Sequence, residues 1–206
     1  FSNSFITRSL IKNISPKNLR SCIYEDLHKN HKYITYENAK NIFHNKISFI
    51  DIYGDKKENM NLEHIFPQYM FKNDVNKKIM KSDLHNLYLC NSKLNTFRQN
   101  FTYVDSQQSK HLFTDNTRIL DQKGDDISNI ENIFEKQGYF MISDKKKKIF
   151  LPTSYSRGKI ARSLAYFAIR YNYINELKNI INLETLLTWN FLDPVNNEEY
   201  LKNIIC

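Results

Sequence analysis

The chain has 206 residues, 41% hydrophobic and 14% aromatic, with only 4 Gly and 4 Pro; global disorder is excluded, and helices are favoured over a turn-rich β-sandwich. Its 30 Lys+Arg outnumber 22 Asp+Glu for a formal net charge of +8, which favours a polyanionic partner and equally fits plain solubility. Three isolated cysteines, Cys22, Cys90 and Cys206, lack C-x-x-C spacing and exclude a zinc knuckle or dense disulfide framework, and no run reaches the ~18 apolar residues of a membrane span.

Residues 1–14 show no firm pattern. Ser15-Pro16 opens a predicted helix, a cap followed by a proline at the first helical position. Leu19, Cys22, Ile23 and Leu27 give it an apolar stripe broken by Asp26. A second helix is predicted over 35–44, capped by Thr35, with Ala39, Ile42 and Phe43 inward. Residues 47–53 (ISFIDIY) read as a strand closed by Gly54-Asp55. Residues 60–66 read as another, stopped near Pro67, which cannot donate to a ladder. Regular alternation turns Glu63 and His64 to opposite faces, so both serve one site only if the backbone bends or they approach it from flanking directions.

Residues 69–82 are basic and irregular, with room for a short helix. A brief strand is expected at 84–89 and a helix at 91–100, with Leu94 and Phe97 inward and Asn91, Asn95 and Arg98 along one side. Further on, Gly124-Asp125 marks a turn, and 139–142 and 149–151 read as paired strands around the lysine run 145–148. Residues 157–171 form a strong helix with Ile160, Ala161, Leu164, Ala165, Phe167 and Ala168 as its apolar face. A last helix is expected over 182–189, with Leu183, Leu186, Leu187 and Trp189 packing, before Asp193-Pro194 ends it.

Side chains able to hold a hard divalent cation and move a proton beside it concentrate in 61–68 (NLEHIFPQ) and 82–101 (SDLHNLYLCNSKLNTFRQNF). Cleaving a phosphodiester needs an activated nucleophile and neutralisation of developing negative charge. His64 suits the general base, Glu63 and Asn95 an oxygen-only cation anchor, and Arg98 a phosphate clamp. Asp83 and His85 read as supporting hydrogen-bonding groups, and Asn86, Asn91 and Asn100 as turn or cap residues. Arg157, Lys159 and Arg162 crowd the first turns of a helix, where the dipole favours anions; they read as a phosphate cradle or as surface charge. The plain alternatives are a satisfied core histidine at position 64 and a solvated helix residue at Asn95.

In this order, NLEHIFPQ, SDLHNLYLCNSKLNTFRQNF, RGKIARSLAYFAIRYNY and TWNFLDPV resemble the bacterial endonuclease I family of non-specific nucleases, built on the ββα-metal (His-Me finger) motif. The likeness spans roughly residues 17–200. It implies an α+β fold: a mostly helical single domain, 1–206, around a small ββα-metal core at about 60–101. It also implies that His64 activates water and that Glu63 and Asn95 bind one Mg2+, at a site Mn2+ or Ca2+ can also occupy. Arg98 matches the arginine after that asparagine; Arg157, Gly158, Ile160, Ala161 and Arg162 match the R-G-x-I-A-R helix start. The implied activity is endonucleolytic hydrolysis of DNA, and often RNA, to 5′-phosphate ends, by a secreted protein that contacts nucleic acid mainly through phosphates. Lys81 stands where some members carry Glu, and 69–80 is too short for the insertion that brings them a further arginine. These departures keep open a catalytically weakened nuclease fold that binds or packages nucleic acid. The oligomeric state is not legible.

Overall fold

The computed structural model describes residues 16–29, 32–47, 52–53, 59–105, 118–120, 139–142 and 148–206. The first two predicted helices are present as α1 (Pro16–Lys29) and α2 (Tyr36–Asn45). The Thr35 hydroxyl caps α2 by accepting from the Asn38 amide at 3.2 Å, satisfying one of the amides that a helix start leaves unpaired. Ala39 and Phe43 are buried and Ile42 half-buried. Most of the strand expected at 47–53 lies outside the described residues; Ile52 and Tyr53 form a bend with both side chains buried.

A two-stranded antiparallel hairpin follows. Strand β1 (Met60–His64) pairs with β2 (Leu87–Asn91), in register from Met60↔Asn91 to His64↔Leu87. The second strand therefore starts later than the sequence suggests, because Leu84–Asn86 is a 3-10 turn. Asp83 accepts from the His85 amide at 3.0 Å, and such a local side-chain bond competes with ladder pairing. Between the strands lies the short helix α3 (Lys77–Lys81). Helix α4 (Ser92–Arg98) leaves β2 directly, with Asn91 capping it by accepting from the Lys93 and Leu94 amides. It stops before residue 100 because Gln99 adopts φ 49°, ψ −116°, a conformation rarely held by a residue with a Cβ.

A four-stranded sheet has the order β3-β6-β5-β4, built from β3 (Thr102–Tyr103), β4 (Arg118–Leu120), β5 (Tyr139–Ile142) and β6 (Lys148–Leu151). The expected pair β5–β6 is antiparallel, as is β4–β5, while β3–β6 is parallel. The predicted turn at 124–125 and lysines 145–147 lie outside the described residues. The helices α5 (Arg157–Arg170), α6 (Ile174–Leu177), α7 (Leu183–Leu192) and α8 (Asn197–Ile205) complete a mixed α+β fold rich in helix. Among the described residues, no helix is long and apolar enough to cross a membrane.

The hairpin is buried on both sides. Leu62, Leu87 and Leu89 join Ala39 and Phe43 of α2 in one apolar cluster. Ile65, Phe66, Cys90 and Leu94 join Phe150, Trp189 and the α5 residues Ile160, Ala161, Leu164, Phe167 and Ala168 in another. The Phe66 and Phe167 rings stack with centroids 4.5 Å apart. On α7 the core-facing residues are Thr185, Leu186 and Trp189, whereas Leu183 and Leu187 are 60% and 59% exposed. That corrects the expected packing of Leu183 and Leu187: steps of about 100° per residue carry them away from the Leu186–Trp189 face.

Gly158, in the first turn of α5, donates its amide to Asp193 Oδ2 at 2.8 Å. A Cβ there would lie 1.9 Å from the Asp193 carbonyl oxygen and 2.9 Å from the Arg162 guanidinium. Backbone cannot give way as a flexible side chain does, so α5 and the α7–α8 turn must separate to admit even a methyl group. Gly158→Ala is expected to destabilise the fold by about 3 kcal/mol in urea titration followed by circular dichroism. An unchanged unfolding midpoint would contradict this packing.

Candidate active site

Glu63 and His64 end β1 and are 3% and 5% exposed. Although consecutive on a strand, both line one cavity of about 390 Å³, together with Gln68, Asn95 and Arg98. The chain bends as soon as the ladder ends, at Ile65 and Phe66. Asn86 pins that bend: its carbonyl accepts from the Ile65 amide at 3.0 Å, its Oδ1 accepts from the Phe66 amide at 2.7 Å, and its Nδ2 donates to the Phe66 carbonyl at 3.2 Å. Asn86, expected as a turn residue, is thus a buried clamp on the segment that follows His64.

Glu63 is held by buried donors. Its Oε1 accepts from the Tyr53 hydroxyl at 2.9 Å and faces Arg98 Nη1 at 3.0 Å. The hydroxyls of Tyr53 and Tyr103 are 2.6 Å apart, and the Arg98 guanidinium lies 4.5 Å over the Tyr103 ring. Burial first, then the charge of Glu63, pushes Tyr53 well above the ordinary phenol range, so it stays a neutral donor. Arg98 is 1% exposed. Its Nη1 also donates to the carbonyls of His64 (3.3 Å) and Gln99 (3.1 Å), and its Nη2 to that of Ile65 (3.0 Å); Nε alone of its nitrogens is without a partner among the described residues. Arg98 therefore ties α4 to the end of β1, and this geometry gives the expected phosphate clamp few donors to offer.

His64 Nε2 lies 2.8 Å from the Lys81 carbonyl oxygen. A carbonyl only accepts, so Nε2 carries the proton and Nδ1 keeps its lone pair, accepting from Gln68 Nε2 at 3.1 Å. Burial lowers the pKa from the ordinary 6.5 to about 4, opposed by the Lys81 carbonyl and assisted by the charges of Lys81 and Arg98. The imidazole is neutral, in the tautomer that presents Nδ1 as a base. Asn95 Nδ2 donates to Asn61 Oδ1 (2.8 Å) and to the Leu62 carbonyl (3.0 Å). With the amide nitrogen so engaged, Asn95 Oδ1 accepts no hydrogen bond from the described residues.

One carboxylate and one unengaged amide oxygen on a shared cavity fit a hard cation that keeps most of its waters. Among the described residues, no three His, Cys, Asp or Glu side chains gather into a metal cluster.

Of the remaining expected residues, Asn100 also lines the cavity, and the others lie elsewhere. Asp83 Oδ2 accepts from the hydroxyls of Tyr166 (3.0 Å) and Tyr171 (2.8 Å) and sits 3.6 Å from Arg170 Nε, joining the 3-10 turn to α5. The His85 ring packs 4.7 Å from Tyr166, and its carbonyl accepts from Ser163. Arg157 donates to the Pro152 carbonyl at 3.2 Å; Lys159 pairs with Glu198 at 2.7 Å, and Arg162 with Glu199. None of these three cations lines the cavity, and two are neutralised by α8 carboxylates. Tyr53, Asn61, Gln68 and Tyr103 were missed. Gln68 had a signal, four residues after His64 in the same motif, whereas the tyrosines come from distant segments with no shared pattern.

The family model of Endonuclease I matches residues 4–205. The chain belongs to the Endonuclease I family. Membership over nearly the whole chain makes nuclease-type function, with nucleic acid as partner, the general assignment. A comparison with curated proteins gives no match.

The depressed pKa of His64 has a stability consequence. The unfolded chain binds a proton near pH 6.5 that the native imidazole refuses until about pH 4. The contribution is therefore complete above pH 6.5 and is lost as pH falls through that window, by about 3 kcal/mol. Measured by urea unfolding in EDTA between pH 7 and 4.5, His64→Gln should lose about 2 kcal/mol less than the wild type. Equal losses would contradict the burial of a neutral imidazole.

Proposed function

We propose that β1, β2 and α4 form a ββα-metal core and that the whole chain acts as one Mg2+-dependent, largely sequence-non-specific endonuclease. Its reaction is hydrolysis of phosphodiester bonds in DNA, with RNA as a second substrate, leaving 5′-phosphate ends. The observation that carries this reading is a neutral His64 whose Nδ1 keeps its lone pair, on the same cavity as Glu63 and the unengaged Asn95 amide oxygen.

Glu63 and Asn95 would hold the cation, which when bound offsets the negative charge that builds on the phosphoryl and leaving oxygens. His64 Nδ1 takes a proton from the attacking water once Gln68 gives up its hydrogen bond. The Nε2–H···O=C bond to Lys81 holds the ring in place and steadies the imidazolium as it forms. Arg98 acts on Glu63, fixing the carboxylate in place through their buried ion pair. The same sequestration of Arg98 favours a second reading, a nuclease scaffold that binds nucleic acid with little turnover.

Supercoiled plasmid separates the two. With Mg2+ the wild type should nick, EDTA should abolish nicking, and His64→Ala should slow it by about 10²–10⁴-fold. Asn95→Ala should raise the Mg2+ concentration needed for half-maximal rate. Binding of plasmid without cleavage in either Mg2+ or Mn2+ would overturn the enzymatic reading.

A further inference from the structure

A second cleft, of about 380 Å³, lies against the site cavity; Gln68 and Tyr69 form walls of both. Phe71, 2% exposed, and the lysine stems make its interior apolar, while Lys72, Lys77 and Lys78 are exposed and Lys81 half-buried around it. None of these four lysines forms an ion pair among the described residues, unlike Lys159 and Arg162. The acid in this segment, Asp74, is engaged by the Tyr173 hydroxyl and the Asn76 amide. Tyr69, between the two hollows, is 60% exposed, with the Lys72 ammonium 4.7 Å from its ring centre. Lys81 links them: it lines the cleft, with its ammonium 4.6 Å over the Tyr36 ring, and its carbonyl holds His64.

A nucleotide has the complementary character, a flat apolar base joined to an anionic phosphate. In a duplex both base faces are covered by neighbouring pairs, so an exposed tyrosine at a cleft mouth can stack only on an unpaired base. We propose that this cleft holds an unpaired nucleotide of the strand flanking the scissile phosphate, with its base on Tyr69 and its phosphates on the lysines. Single-stranded nucleic acid is then the preferred substrate class. The inference rests on the nuclease reading for what happens to the strand, but not for its binding.

The test is fluorescence anisotropy in EDTA, where turnover is absent, using a labelled oligothymidine, a duplex of equal length and an abasic strand of equal length. A failed nicking assay would leave this measurement intact, and the reverse holds. The wild type should bind the single strand more tightly than the duplex. Tyr69→Ala should weaken binding of oligothymidine about tenfold and leave the abasic strand unaffected. Lys77→Ala/Lys78→Ala should flatten the slope of log affinity against log salt by about 1.4, from two lost phosphate contacts. All three side chains are exposed, so folding of the variants is checked simply by circular dichroism. Equal affinity for duplex and single strand, or a Tyr69→Ala effect identical on base-bearing and abasic strands, would overturn the proposal.

Discussion

The site depends on one buried ion pair. Arg98 reaches from the last turn of α4 to the carboxylate of Glu63 and to the carbonyls of His64 and Ile65, so the helix cannot slide along the strand without breaking several bonds at once. Asn95 sits one turn earlier on the same helix and is fastened to Asn61 and Leu62 of the same strand. A buried pair of this kind adds little net stability, because both charges have left water. Removing either partner would strand the other charge in the core, so the pair disfavours other placements of α4.

Further layers hold this unit from outside. Asp83 gathers Tyr166, Tyr171 and Arg170 of the α5 region beneath the 3-10 turn, and Asn86 clamps the bend after His64. From the other side, buried Lys202 on α8 donates to the Leu87 carbonyl at 2.9 Å and lies 3.2 Å from the Tyr88 ring centre; burial lowers its pKa to about 8. The positive surplus is therefore unevenly available. Arg98, Lys159, Arg162, Arg170 and Lys202 are committed to carboxylates or carbonyls, while Lys72, Lys77 and Lys78 remain exposed beside the site.

Elements governed by local chemistry were legible in the sequence. The Thr35 cap, the α5 stripe and the β5–β6 pair follow from rules that act within a few residues. Contacts between distant segments were not. The bend that follows His64 is clamped by Asn86, and the Glu63 carboxylate is positioned by Tyr53, Arg98 and a Tyr103 partner behind them. The start of β2 shifted because the Asp83 side chain captures a backbone amide first. Arg98 was legible as an arginine near the site, but its direction was not: a guanidinium fits a phosphate and a buried carboxylate equally well, and only the fold decides between them. The same holds for Lys159 and Arg162, whose acidic partners arrive on a helix nearly forty residues later.

In the proposed mechanism this register makes Glu63 and Asn95 a cation anchor, with His64 beside it as a base and not as a ligand. Anomalous diffraction from crystals soaked in Mn2+ tests it most directly. One strong peak is expected in the cavity, bounded by the Glu63 carboxylate and the Asn95 amide oxygen, with His64 Nδ1 outside the coordination sphere. A cavity without a peak, or a cation ligated by His64, would contradict it.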